Sequence, residues 1–277
     1  MKFAVFTASL PDWTPEEAVR KLADLGWDGI EWRVVDQKPA EGTGFWQGNK
    51  CTWPESSFVE DVPRIKQLTE QAGLEMSAIG AYATSDRVQA VDRLMAGTAA
   101  LGVERIRVPV GRPGDEGYNA AFEQRRDEYV AIQDLAKKHG VQALIELHHQ
   151  SLISSASAAA RFVQGFDPRF VGVIHDIGNM LQEGYEFDPW SLEILGDHLA
   201  HVHVKNAKPV PSVGENGTEW KWGWAPMRHG VGNLPRLFRA LADIGYDGWV
   251  SVEDFSTETP LDERVADNLA YLKELTS

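Results

Sequence analysis

Ala200-His201-Val202-His203-Val204-Lys205-Asn206 is the stretch on which the reading of this chain turns. In a strand, side chains alternate between faces, so His201, His203 and Lys205 share one side while Ala200, Val202 and Val204 take the other. Facing water, that pattern is unremarkable. Inside a closed barrel, two imidazoles and an ammonium are costly unless other polar groups answer them.

Outward from this stretch, short strand-like runs alternate with helical periodicity along the whole chain. Strands are expected at 2–7, 29–34, 74–81, 105–110, 141–148, 170–176, 200–206 and 248–255. Helices are expected at 15–25, with Thr14 as N-cap, and at 58–72, 87–101, 120–139, 155–164 and 189–195. Leu234, Leu237, Phe238, Leu241 and Ile244 form an amphipathic stripe, and Val265, Leu269 and Leu272 mark a last helix. Residues 36–57 and 207–230 read as long loops. They carry Trp46 and Trp53, and Trp220, Trp222 and Trp224, and each follows a strand. Eight strand–helix units without an intervening linker imply a parallel sheet and a single α/β domain over 1–277. That number of units favours a closed (β/α)8 barrel, with its active site at the C-terminal ends of the strands. An open doubly wound sheet would be helped by a glycine fingerprint after the first strand, and Thr7-Ala8-Ser9-Leu10-Pro11 has none.

A net charge of -14 argues against nucleic-acid and anionic-membrane partners, which recruit Lys and Arg. Cys51 is the single cysteine, which excludes an intramolecular disulfide and a thiolate metal cluster. No stretch approaches the ~18 apolar residues of a membrane span. The apolar start at residues 3–6 is too short for a signal peptide. A cytoplasmic enzyme is the expectation.

If strands end at the active site, their last residues should be compared. Glu146 closes Ala143-Leu144-Ile145-Glu146, Asp176 closes Val171-Gly172-Val173-Ile174-His175-Asp176, and His203 lies in the opening stretch. Glu253 ends Trp249-Val250-Ser251-Val252-Glu253. Any one of these alone reads as a helix cap or salt-bridge partner. Together, three carboxylates in one place repel and shift their pKa values upward unless a cation sits among them. One divalent ion answers that. Oxygen-rich ligation with one imidazole suits Mn, Mg or Co, and zinc stays open.

Glu146, Asp176, His203 and Glu253 resemble the metal quartet of the xylose isomerase-like barrels, which include sugar-phosphate isomerases and epimerases, ketose 3-epimerases, hydroxypyruvate isomerases and inosose dehydratases. The resemblance covers the whole chain. It is most specific at Ile145-Glu146-Leu147-His148, at 201–206, and at Gly230-Val231-Gly232-Asn233-Leu234 followed by 245–253. Gly26-Trp27-Asp28-Gly29-Ile30-Glu31 is similar to the family's second-strand pattern. One departure stands out: epimerases of the family usually carry His three residues after the metal Asp, and here that residue is Asn179, whose amide cannot shuttle a proton.

The resemblance implies a sugar, ketose or related polyol that chelates the ion through adjacent carbonyl and hydroxyl oxygens. The ion polarises the carbonyl and stabilises an enediolate, with Glu146 and Glu253 as the acid/base pair. Epimerisation, isomerisation and dehydration of inosose or dehydroshikimate type all remain open. From another class, so does a non-catalytic barrel that keeps the ion and binds sugar. Apurinic endonucleases share the barrel, but need several zincs and a basic surface that this acidic chain does not clearly supply. A dimer or tetramer is the family's habit.

The remaining substrate-binding candidates are His148, Lys205, Arg107, Asn179 and Glu31. Glu31 and Arg33 share a strand face, as do Arg105 and Arg107. Arg107 can bind a substrate oxygen or simply pair with Glu31; Lys205 can steady an oxyanion or sit solvated at the rim; His201 reads as a packed barrel histidine. The tryptophan-bearing segments suit the apolar face of a sugar or, alternatively, a subunit interface. With no glycine-rich phosphate cradle, an unphosphorylated substrate is favoured.

Overall fold

The computed structural model describes residues 1–215 and 217–277. In chain order its strands are β1 (Lys2–Phe6), β2 (Gly29–Val34), β3 (Thr52–Trp53), β4 (Glu75–Ala81), β5 (Arg105–Arg107) and β6 (Gln142–Glu146). They continue with β7 (Val171–Asp176), β8 (Leu199–Val204), β9 (Asn206–Gly214), β10 (Gly217–Ala225) and β11 (Trp249–Val252). The strands β1, β2, β4, β5, β6, β7, β8 and β11 pair in parallel, and β1 bonds both β11 and β2, so the sheet closes into an eight-stranded barrel. The short β3 pairs with Arg33 and Val34 of β2, beyond Glu31, the last residue of β2 that β1 reaches.

The helices are α1 (Pro15–Leu25), α2 (Phe58–Gln71), α3 (Val88–Leu101), α4 (Tyr118–His139), α5 (Ala156–Val163), α6 (Ile177–Gln182), α7 (Asp188–Leu195), α8 (Leu234–Asp243) and α9 (Leu261–Leu275). Local chemistry sets several of their ends. Thr14 caps α1 with a full capping box: its hydroxyl accepts from the Glu17 N–H, and the Glu17 carboxylate accepts from the Thr14 N–H at 2.9 Å. Gly26, Gly102 and Gly140 end α1, α3 and α4 in the left-handed conformation. The α8 stripe buries Leu234, Leu237, Phe238 and Leu241, each stabilising the fold by about 1.5–3 kcal/mol. Ile244, expected in that stripe, lies just past the helix and is exposed.

Two expected loops are more ordered than their composition suggests. Most of 207–230 is the antiparallel hairpin β9–β10, a two-stranded sheet separate from the barrel. Its Val210, Val213, Trp220, Trp222 and Trp224 are strand formers; Pro209 and Pro211 obscure β9, whereas the Trp residues of β10 alternate with Lys221 and Gly223 as a strand should. In 36–57, Trp53 does not reach the barrel mouth: it is buried edge-on against Trp32, with ring centroids 5.7 Å apart. The helix α6 was not expected; it starts directly from the end of β7, where the Asp176 carboxylate accepts from the Asn179 N–H at 2.9 Å.

Candidate active site

The four ligand candidates meet at one end of the barrel. Glu146 and Asp176 are the last residues of β6 and β7, His203 is paired in register with Asp176 and Ser251, and Glu253 follows β11 directly. The Glu253 N–H continues the ladder to the Val204 carbonyl at 3.0 Å. Each of the four offers one ligand atom, and these atoms lie within 4.8 Å of one another. From His203 Nδ1 the distances are 3.4 Å to Glu146, 3.6 Å to Glu253 and 3.9 Å to Asp176. All four residues are buried.

Lys205, one inward step beyond His203, is buried rather than at a solvated rim. Its ammonium lies 2.6 Å from Asp176, contacts Glu253, and is 3.9 Å from Glu146. Gly178 makes room for it, since a Cβ there would overlap the lysine stem. Arg107 pairs with Glu146 at 2.7 Å, not with Glu31, and donates through Nε to the Ala81 carbonyl at 3.0 Å. Its Nη2 is buried without a protein partner among the described residues. The guanidinium stacks over Tyr82 at 4.2 Å.

The three carboxylates feel these cations unequally. Burial alone would raise every carboxyl pKa. For Glu146 the Arg107 charge outweighs burial, and for Glu253 the Lys205 and His203 charges do, so both fall below the ordinary range. For Asp176, burial together with Glu253 and Glu146 outweighs Lys205, and its pKa is pushed up to about 8. A buried set of three carboxylates and one imidazole with a carboxyl driven that high fits a divalent cation. The residues that would hold it are Glu146, Asp176, His203 and Glu253.

Glu31 differs from expectation. It is fully buried and lines no part of the cavity above; its carboxylate instead accepts from His203 Nε2 at 3.1 Å and His201 Nε2 at 3.0 Å. Strand alternation placed it on the inward face correctly, but depth along the barrel axis puts it beneath the cluster. There it commits Nε2 of His203 as donor and leaves Nδ1 for the ligand set. Burial opposes charge on Glu31 and His203 alike, yet their pairing holds the Glu31 pKa well below and the His203 pKa well above the ordinary values. Burial dominates at His201, whose pKa falls, consistent with a packed neutral histidine.

Above the cluster opens a cavity of about 400 Å³, lined by Glu146, Glu253, Lys205, Arg107, His148 and Asn179 among others. Its walls are aromatic. Trp46 and Trp224 pack on Phe255 with centroids 4.7 and 5.5 Å away, and Trp222 and Tyr82 complete the rim. Trp220 projects to solvent. Tyr82, Gln182, His149 and Phe255 line the cavity without having been singled out. For His149 a signal existed in the second imidazole of Glu146-Leu147-His148-His149; the others lie in loops or in the unexpected α6.

The barrel, its strand-end cluster and the chain's match to a family model agree. Residues 19–275 match the xylose isomerase-like TIM barrel model, and the chain belongs to that family. Among curated relatives it is 26% identical over 275 residues to an inosose dehydratase of Mesomycoplasma hyopneumoniae strain J, covering 94% of this chain and 85% of that one. A second inosose dehydratase, from Geobacillus thermodenitrificans, is 26% identical over 134 residues, covering 44% of this chain and 43% of the relative. Among solved structures, a 3-keto-D-glucoside 4-epimerase from E. coli superposes with a TM-score of 0.75 at 16% identity, covering 99% of both chains. The IOLI protein, solved with a bound zinc atom, does so with a TM-score of 0.75 at 16% identity, over 99% of this chain and 98% of that one.

Proposed function

We propose that the protein is a divalent-metal-dependent isomerase or epimerase of a sugar, ketose or related polyol. The observation that carries this is the position of Glu146 and Glu253: both belong to the acidic cluster and both open onto the same cavity. Bound at the quartet, an ion (Mn, Mg or Co, with zinc as the variant seen in the IOLI protein) supplies Lewis acidity towards a substrate carbonyl.

The chain's own residues do the rest. Glu146 and Glu253 lie on strands at different points of the ring, so a substrate carbon between them meets one carboxylate on each side. One takes the proton from the carbon beside the carbonyl, and the other returns a proton to the opposite side or to the neighbouring carbon. Lys205, beside Glu253, and Arg107, beside Glu146, donate hydrogen bonds to the oxygens on which negative charge grows. The unpartnered Arg107 Nη2 is suited to a substrate oxygen. Trp46, Trp224 and Phe255 cover an apolar ring face and exclude water.

A second reading, elimination of water from an inosose-type substrate, is favoured by the curated relatives named inosose dehydratases. Deuterium uptake at the substrate carbon, followed by NMR for D-psicose, D-fructose and scyllo-inosose with Mn-loaded protein, tests the proposal; ultraviolet absorbance detects the enone of a dehydration. Glu253→Gln is expected to lower turnover by at least about 100-fold. Full turnover by that variant would remove Glu253 from the acid/base role, and absence of exchange with any of the three would overturn the catalytic reading.

A further inference from the structure

Two stacked histidines at the cavity wall are left over by this mechanism. The rings of His148 and His149 lie 4.5 Å apart at 20°, and His149 also meets Trp224 edge-on at 6.2 Å. Both line the cavity. Their tautomers follow from their partners.

Asn179 fixes the first. Its Nδ2 donates to Asp176 Oδ2 at 2.8 Å and to the Leu147 carbonyl at 3.1 Å, and Glu146 Oε1 lies 3.3 Å from the same nitrogen. The Leu147 carbonyl and the Glu146 carboxylate only accept, so the amide cannot be turned round: its oxygen would then face both of them. The amide oxygen therefore points at His149 Nδ1, 3.0 Å away, and that nitrogen must carry the proton. The second case is simpler. His148 Nδ1 lies 2.7 Å from the backbone carbonyl of His149, which only accepts, so Nδ1 again carries the proton. A neutral imidazole protonated at Nδ1 has a bare lone pair at Nε2. Neither Nε2 has a protein partner among the described residues. Burial lowers the His149 pKa.

We propose that His148 and His149 form a paired acceptor for two neighbouring hydroxyls of the substrate, with Asn179 as the positioning residue that sets the His149 tautomer. The pair selects a diol over a keto or carboxylate oxygen at this wall, because a bare Nε2 can accept but not donate. This inference rests on the polyol reading above and deepens it.

Long-range 1H–15N correlation of the Mg-loaded full chain at about pH 8, above the ordinary imidazole pKa, reads the tautomers directly. Both rings are expected with Nε2 unprotonated, and Asn179→Ala should move His149 alone to the Nε2–H form. Nε2–H in the wild-type His149 ring would overturn the proposal. Adding myo-inositol or D-psicose should shift both Nε2 resonances, and silence from both with either ligand overturns it too. In turnover, His149→Phe should lower kcat/KM by about tenfold or more, chiefly through KM. An unchanged KM in that variant counts against the pair. Were the wild type inert towards every ketose and inosose while myo-inositol still shifted both resonances, the catalytic reading would fall and the diol site would stand.

Discussion

Replacing Lys205 by methionine removes a cation from beside three carboxylates while keeping most of the stem's volume. Its ammonium lies 2.6 Å from Asp176, contacts Glu253, and is almost wholly buried. Breaking a buried ion pair by deleting one partner costs about 3–5 kcal/mol, because the orphaned charge stays behind. Unfolding entropy of about 2.1 cal/mol/K per residue gives a chain of this length about 0.6 kcal/mol per kelvin. Metal-free Lys205→Met should therefore melt about 5–9 °C below wild type. Divalent metal should then do more for the variant. A ligand at 100 times its Kd adds about 2.7 kcal/mol to any folded protein it binds, about 5 °C here. In wild type part of that gain is spent moving the ammonium aside, and in the variant it is not. Differential scanning fluorimetry with EDTA, Mg and Mn measures both melting temperatures. Equal metal shifts in the two proteins, or a metal-free variant as stable as wild type, would refute the view that Lys205 neutralises the cluster.

Glu31→Gln should weaken metal affinity by about 10–100-fold, since a carboxamide no longer orients His203 as firmly; isothermal titration with Mn reads it, and unchanged affinity would reduce Glu31 to interior packing. Between α3 and the end of α4, Asp92 accepts from the His139 ring at 2.6 Å and from Lys138 at 2.8 Å, and those bonds hold its pKa below the ordinary carboxylate value. With a folded pKa below the unfolded one, the pairing stabilises above about pH 4 and fades as pH falls through the folded value. Asp92→Asn should thus cost less than about 1 kcal/mol near neutrality, as a half-exposed pair does, and nothing in strong acid; urea titrations in the two ranges separate the outcomes.

The strand ends were legible because alternation and barrel geometry leave few places for a carboxylate that closes an apolar run. Glu146, Asp176 and Glu253 follow from that rule, His203 follows from the alternation of its own strand, and the four side chains come together. Alternation reports face but not depth, which is why Glu31, on the inward face, was read as a substrate contact while it lies under the cluster holding His203. Depth equally separates His201 from His203. The hairpin is harder to read for a different reason: its strands pair only with each other, and Pro209 and Pro211 interrupt β9, although Trp220, Trp222 and Trp224 alternate with Lys221 and Gly223 along β10. His148 is legible as a pocket residue, but the tautomer of His149 is not, because it depends on Asn179, thirty residues away in sequence.

The separateness of the hairpin has an evolutionary consequence. All four ligand candidates sit at the ends of barrel strands, whereas Trp222 and Trp224 belong to a ribbon whose sheet bonds are internal. Descendants of such a gene can lengthen, shorten or re-sequence that ribbon without disturbing the barrel ladder or the acidic cluster beneath. Reactivity and selectivity are thereby inherited on different segments, and one can drift while the other is held.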